Sequence, residues 1–269
     1  MSSFQPSAPG TSADQEPAAP ATPAATAPAA AEVGTGRIAA VCTVAQLFPV
    51  PDRSLMSGID KRPVEGSVTL LTHGVLGDVQ GDREHHGGIF KAVYAYARES
   101  REAFAAERGE ELPDGCFGEN LVTCGYDTDE TVIGERWQIG TARIEATCPR
   151  NPCGTLTAWI GDRRFGRRFT EVGRCGAYFR VLTEGDVSAG DAIEVLHRPE
   201  HGVTIGDAFR GLDAPQARAL LTWSEQSGTV LYESLVQAAL NTLERAGEPA
   251  AFPDRLRSTG RGLGLGMGL

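Results

Sequence analysis

The chain has 269 residues, of which 41% are apolar and 22% charged, a balance typical of one or two globular domains with a real core. Acidic residues outnumber basic ones by 35 to 25, and the formal charge of −10 argues against general affinity for nucleic acid or anionic membranes. No apolar run is long enough to predict a membrane span. We therefore expect neither nucleic acid nor membrane as a partner.

Residues 1–36 are rich in Ala, Pro, Ser and Thr, and we predict a disordered tail because this composition buries too little apolar surface. They contain no basic stretch followed by an apolar run, so no secretory signal is expected. The six cysteines are irregularly spaced, which favours reduced thiols over a disulfide framework. The sequence therefore predicts a cytoplasmic protein.

Residues 37–198 have the texture of a mainly β domain. Short runs rich in β-branched and aromatic residues are separated by Gly, Pro and Asp, as in barrels and sandwiches. The predicted strands are RIAAVCTVAQL, GSVTLLT, ETVIGERWQIG, TARIEAT, GAYFRVLT and DAIEVL. One helix is predicted from Lys91, in KAVYAYARESREAFAAERG, because Val93, Tyr94 and Phe104 fall roughly on one face.

After His197 the pattern becomes helical. VTIGDAFRG, DAPQARALLTW and SLVQAALNTLERAG predict a small helical extension over residues 199–250, in which Asp213 caps the second helix and Pro215 lies in its first turn. Residues 251–269 end in RGLGLGMGL, which lacks the glycine spacing of a dinucleotide site. We predict a flexible tail there.

Two stretches contain residues suited to ligand binding or proton transfer. In GDREHHGGIF, Gly87 and Gly88 permit a close approach of a ligand beside His86, although a plain tight turn is equally compatible with the stretch. In CFGENLVTCG, Glu119 could act as an acid or base and Asn120 could donate to a ligand oxygen. Taken alone, this second stretch is more simply a capped turn.

The stretch CPRNPCG follows the predicted strand TARIEAT. Pro149 and Pro152 fix φ and donate no hydrogen bond, so they should end the strand and hold Cys153 in a shaped loop, as a reactive sulfur requires. Cys148, at the end of the strand, is expected to be a small buried residue. A zinc site on these two cysteines lacks a second ligand pair at suitable spacing.

In order and spacing, these stretches and the closing GAYFRVLTEGDVSAGDAIEV resemble the MOSC family, the domain named after the C-terminal part of molybdenum cofactor sulfurase. The resemblance covers about residues 37–196. It implies a mainly β, barrel-like MOSC fold with a few helices, and a pocket for the molybdenum cofactor. The helical extension resembles that of the branch that includes reductases of N-hydroxylated bases.

The resemblance also implies roles for individual residues. Cys153 matches the functional cysteine of the family and would ligate molybdenum or carry a persulfide sulfur. His86 or Glu119 would supply the proton that a leaving oxygen needs. Arg150 would pair with the phosphate of the cofactor. The expected cofactor-binding residues are Gly87, Gly88, Lys91, Asn120, Arg150 and Thr155.

One departure from the family pattern lies next to the HGG element. Ile89 and Phe90 stand where the family commonly has a spacer and an acidic residue. An aromatic ring removes an acceptor and a charge. We expect Phe90 to line the mouth of the pocket and to favour apolar or planar ligands.

Three functional classes follow from this reading. The first is a molybdenum-cofactor enzyme that reduces N-hydroxylated small molecules with electrons from external electron-transfer proteins, since the chain has no flavin, haem or iron–sulfur motif of its own. The second is a sulfur carrier or transferase that works through a Cys153 persulfide, and the third is a non-catalytic cofactor-binding module. A homodimer is a possible assembly. Pyridoxal phosphate is not expected, because it belongs to a separate domain of larger fused relatives.

Overall fold

The computed structural model describes residues 36–51, 55–79 and 88–258. Residues 1–35 and 259–269 of the predicted tails lie outside the described residues, and so do His86 and Gly87.

The strands of the described residues are short and span most of the chain. They are β1 Arg37–Pro49, β2 Met56–Pro63, β3 Ser67–Leu71, β4 Gly74–Val75, β5 Val93–Ala97, β6 Leu121–Cys124, β7 Arg136–Ile139, β8 Ala142–Pro149, β9 Ala177–Thr183, β10 Gly185–Ser188, β11 Glu194–His197, β12 Leu231–Tyr232 and β13 Arg257–Ser258. Eight of them form one mixed sheet in the order β11-β7-β8-β9-β5-β6-β1-β2. A smaller sheet has the order β10-β3-β4.

The large sheet curls until its ends meet. The first residues of β1 pair with β6 on one side. On their other side, Ile38 N donates to Asp191 O at 2.8 Å and Ile193 N donates to Gly36 O at 2.9 Å, in the segment that leads into the edge strand β11. The architecture is therefore mainly β and barrel-like, as predicted.

Aromatic side chains fill the interior. The rings of Trp137 and Phe179 are 4.5 Å apart between centres, and those of Phe104 and Phe169 stack at 5.7 Å. Each buried aromatic removes roughly 150–250 Å² from water, which makes this cluster a main source of stability.

The helices lie outside the sheet. They are α1 Arg98–Arg108, α2 Gly154–Ile160, α3 Phe165–Val172, α4 Ile205–Arg210, α5 Ala214–Ser227 and α6 Glu233–Arg245. Short 3₁₀ turns occupy Ile89–Lys91, Thr128–Glu130 and Asp254–Leu256. Among the residues that the structure describes, no helix combines the length and apolar character needed to span a bilayer.

The helix predicted from Lys91 is wrong in its first half. Residues Val93–Ala97 form β5, which pairs with β9 and, in parallel, with β6 in the middle of the sheet. Every side chain of β5 is buried, so the run is apolar on both faces and has no period that separates strand from helix. The helix begins only at Arg98.

The C-terminal extension consists of α4, α5 and α6. Asp213 caps α5 as predicted, and a capping box with Gln216 completes the cap. The prediction of a flexible tail from residue 251 is wrong for its first part. Phe252 and Leu256 are buried, and β13 pairs with β12. The packed chain therefore continues to residue 258.

Candidate functional site

One open pocket brings residues of CFGENLVTCG and CPRNPCG together, whereas Gly88 of GDREHHGGIF is not among the described residues that line it. It encloses about 660 Å³ including the space at its mouth, and residues from β2, β5, α2 and the loops before β6 and α2 line it. The sequence-predicted residues that line it are Lys91, Asn120, Arg150, Cys153 and Thr155.

Cys153 owes its position to the turn between β8 and α2. Pro149 is the last residue of β8, and Cys153 has extended backbone as the N-cap of α2. Trp159 anchors α2, because its Nε1 donates to Cys116 O at 2.8 Å and its ring meets Phe48 edge-on at 5.3 Å. The thiol therefore belongs to a segment fixed at both ends.

Arg150 is a charged neighbour of this thiol. Its Nη2 lies 4.0 Å from Cys153 Sγ, and its Nη1 donates to Asn151 O at 2.9 Å. Burial opposes the charge, but Tyr94, Tyr178 and Cys153 outweigh it, and the pKa of Arg150 lies above its ordinary value. An arginine beside a cysteine is one of the settings in which proteins present reactive thiols.

Cys148, unlike the partly buried Cys153, lies in a fully enclosed environment. It is buried at the end of β8, as predicted, with Thr147 Oγ1 3.8 Å from its Sγ. Burial raises the pKa of Cys148 to about 11, which keeps this thiol protonated near neutral pH.

Two further cations line the pocket. Lys91 Nζ lies 5.6 Å from the ring centre of Tyr178 and 4.7 Å from that of Tyr232. Lys61, on β2, also lines the pocket, and it donates to Asp78. These two residues are the only lysines of the sequence.

Lys61 and Asp78 were missed by the sequence analysis. The Asp78 carboxylate accepts from Lys61 and also from Asn120 Nδ2 at 2.9 Å and Val44 N at 3.0 Å. Both side chains of the ion pair are nearly buried, with 7% exposure for Lys61 and 5% for Asp78. The rarity of lysine in this chain is the sequence signal that could have drawn attention to Lys61.

Glu119 is not where a proton donor would have to be. It is fully buried and is not among the described residues that line the pocket. Its Oε1 accepts from Gly115 N at 2.8 Å and its Oε2 from Phe117 N at 2.9 Å. Burial raises its pKa, and these backbone bonds oppose that effect. We infer that Glu119 shapes the loop before β6, while the neighbouring Asn120 reaches the pocket.

Phe90 is also placed differently from our expectation. Its side chain is buried, with its ring 6.3 Å from that of Tyr232 and 5.2 Å from the guanidinium of Arg180. It packs between the sheet and the extension and is not among the described residues that line the pocket. A ring buried at this place does not contact a substrate in the pocket.

The residues of the pocket suit a phosphate-bearing pterin that carries molybdenum. Arg150 and Lys91 supply positive charge for a phosphate, Tyr94 and Tyr178 supply aromatic surface, and Cys153 supplies a soft donor. The net charge of −10 disfavours anions in general, so the attraction for a phosphate must come from these local cations.

Comparison with known proteins identifies the family of the chain. The profile of the MOSC domain matches residues 82–194. The uncharacterized protein YflK of Bacillus subtilis (strain 168) is 34% identical over 165 residues, which cover 61% of this chain and 75% of YflK. The chain belongs to the MOSC-domain family.

Two other proteins are also similar to this chain. The crystal structure of YiiM from Escherichia coli has a TM-score of 0.58 at 23% identity, covers 82% of this chain and 99% of that chain, and shows the same fold. A protein named Reductase from Gibberella moniliformis (strain M3125 / FGSC 7600) is 35% identical over 150 residues. The match covers 54% of this chain but only 26% of that longer protein.

Proposed function

We propose that this MOSC protein binds the molybdenum cofactor beside Cys153 and reduces N-hydroxylated small molecules. The observation that carries the proposal is the Cys153 thiol, 4.0 Å from the Arg150 guanidinium, in a pocket that also holds both lysines. The Gibberella relative is named Reductase, and the part of it that this chain matches, 26% of its length, supports a reductase proposal.

Each pocket residue has a distinct task in this proposal. The Cys153 thiolate ligates the metal, since soft sulfur donors bond well to such metals. Arg150 and Lys91 hold the phosphate, Arg150 through its planar fork and Lys91 as a point charge. Asn120 lines the pocket, and its Nδ2 donates to Asp78 and to Cys42 O, so its task is to order the pocket wall. The cofactor, when bound, supplies the two-electron redox chemistry.

The reaction needs external electrons and protons. Cleavage of an N–O bond to an amine and water consumes two electrons and two protons. We propose that separate electron-transfer proteins deliver the electrons, in the cytoplasm, where thiols stay reduced. All six cysteines lie within the described residues, and no disulfide joins any of them.

Sulfur transfer is the second candidate. Cys153 is only partly buried and lines an open pocket, so a persulfide sulfur on it could reach an acceptor. This chemistry requires no metal, whereas the reduction does. A persulfide that can be trapped on metal-free protein would favour it.

The reductase proposal is tested with protein purified from a host that makes the cofactor. An artificial donor such as reduced viologen replaces the electron-transfer partner, and an N-hydroxylated base is the substrate. We expect turnover by the wild type and none by Cys153→Ser. Cys124→Ser is the matched control, because Cys124 is also partly buried but lies on β6 and is not among the described residues that line the pocket. Equal turnover by all three proteins would contradict the proposal.

A further inference from the structure

Both lysines of the chain line one pocket, whereas all its other basic residues are arginines. The two side chains differ in one chemical respect that matters here. Arginine does not release its proton in proteins, whereas a buried lysine can. Both lysine side chains of the sequence, which can release a proton, therefore line the pocket.

We propose that Lys61, held in place by Asp78, donates the proton to the oxygen that leaves an N-hydroxylated substrate. This inference rests on the proposed function and names a proton donor that lies outside the motifs of His86 and Glu119.

The first support is the position of Lys61. It lies on β2 and lines the same pocket as Cys153 and Arg150, although only 7% of its side chain is exposed. Gly115, in the loop facing it, has a left-handed φ of 88°, and a Cβ there would lie 2.4 Å from the Lys61 carbonyl oxygen. The loop and β2 are therefore in close contact at this residue.

The second support is the fixed position of Asp78. Val44 N donates to its Oδ1 at 3.0 Å, and Asn120 Nδ2 donates to its Oδ2 at 2.9 Å. Neither donor titrates, so both hold the carboxylate in place whether or not Lys61 carries its proton. Asp78 is thus a positioning residue for the ammonium.

The charges around Lys61 fit this role. Burial lowers its pKa, and the nearby carboxyl groups of Asp78 and Glu119 partly offset the effect. Cys42, on the adjoining strand β1, faces it as a neutral thiol, because burial raises the pKa of Cys42 far above neutral pH. A lysine whose pKa is lowered becomes a better acid near neutral pH.

The other pocket residues are weaker candidates. The Tyr94 hydroxyl donates to Cys175 O at 2.8 Å, so its proton is already engaged. Burial raises the pKa of Tyr178 to about 12, which makes it a poor acid near neutral pH. Arg150 stays protonated, and Lys91 lies against the rings of Tyr178 and Tyr232.

The proton balance of the step is simple. As the N–O bond breaks, the ammonium of Lys61 gives one proton to the departing oxygen and becomes a neutral amine. The second proton of the reaction comes from solvent, which also returns the proton to Lys61 after the product leaves. The two electrons come from the external electron-transfer protein, as in the proposed function.

Cofactor-free protein labelled with ¹³C at the lysine Cε tests the acid directly. Two lysines give two signals, and Lys91→Arg assigns the one from Lys61. We expect the Lys61 signal to titrate below the ordinary lysine value of about 10.4. Asp78→Asn should lower the midpoint further, because the carboxylate stabilises the ammonium. A wild-type midpoint at or above about 10.4 would overturn the proposal.

Turnover of the loaded protein gives the second test. Lys61→Arg keeps the positive charge but cannot give up a proton, and Lys61→Met removes the charge and the proton. The kcat of each variant should fall by about 100-fold or more, within the range of general acid catalysis. Arg62→Met is the control, since the Arg62 side chain is 62% exposed on the same strand.

The two proposals fail in different ways. If the wild type binds no molybdenum or reduces no N-hydroxylated base, the proposed function and this inference both fall. If the wild type is active and Lys61→Arg stays within about threefold of it, only the proton-donor role of Lys61 is overturned.

Discussion

The ammonium of Lys91 lies 4.7 Å from the centre of the Tyr232 ring, so a pocket residue of the barrel contacts the C-terminal extension directly. Tyr232 also packs against Phe90, in the 3₁₀ turn that ends at Lys91. The extension therefore takes part in positioning the pocket rather than standing apart from it.

The first prediction concerns this contact. Tyr232→Leu should weaken the binding of pyrophosphate, used as a probe of the pocket, by about two- to fivefold, because a cation–π contact contributes about 0.5–1 kcal/mol. Tyr232→Phe keeps the ring and should bind as the wild type does. Calorimetric titration measures both, and equal affinity in Tyr232→Leu would argue that Lys91 is positioned without the extension.

The second prediction concerns the C-terminal boundary. A chain that ends at Ala251 loses the buried side chains of Phe252 and Leu256 and the β12–β13 pair. Burial of two such side chains contributes roughly 3 kcal/mol or more, so the free energy of unfolding should fall by that amount. A chain that ends at Ser258 is the control and should be as stable as the full chain in urea unfolding. Equal stability of the two shortened chains would contradict the packing of residues 252–258.

The third prediction concerns Asp129. Burial, with help from Asp127, raises its pKa from 3.8 to about 6, although Cys175 N at 2.7 Å and Gly176 N at 3.2 Å donate to its Oδ1. The folded state therefore binds the proton more tightly than the unfolded chain does. This contribution to stability is complete below pH of about 4 and is lost as the pH rises through about 6.

Asp129→Asn replaces the titrating carboxyl group with an amide that does not titrate. The stability of this variant is the reference for the wild type. Between pH of about 4 and 7, the free energy of unfolding of the wild type should fall relative to that of Asp129→Asn. Chemical denaturation across this range measures the difference. Parallel profiles for the two proteins would show that Asp129 titrates at its ordinary pKa.

The fourth prediction separates the two cysteines of the CPRNPCG stretch. Cys148→Ser places a hydroxyl in a buried apolar site and should cost about 1–3 kcal/mol of stability. The molybdenum content per folded molecule should not change, because Cys148 is not among the described residues that line the pocket. Loss of the metal with normal stability would assign to Cys148 the role that we give to Cys153.

Much of the fold could be predicted from local patterns. The strands β1, β8 and β9 alternate or are rich in β-branched and aromatic residues, and the α5 cap is a local signal at Asp213. The strand β5 could not be predicted in this way, because burial of both its faces removes the alternation of apolar and polar residues. The helix α2 begins beside Cys153 without a side-chain cap, so its start carries no local signal.

The site was predictable only where motifs mark it. Cys153, Arg150 and Asn120 line one pocket because the ends of β8 and β5 and the loop before β6 meet there. The place of Glu119 depends on backbone amides that a sequence does not display. Lys61 and Asp78 lie 17 positions apart in the chain, and only the fold pairs them.

The molybdenum and pterin content of purified protein tests the central claim most directly. Wild type, Cys153→Ser and Cys124→Ser are produced in one cofactor-competent host, checked for folding, and measured by elemental analysis and by fluorescence of the released pterin. We predict close to one molybdenum per chain in the wild type and in Cys124→Ser, and a large loss in Cys153→Ser, because a hydroxyl is a poor ligand for a soft metal. Folded wild-type protein without molybdenum, or full metal content in Cys153→Ser, would contradict the account.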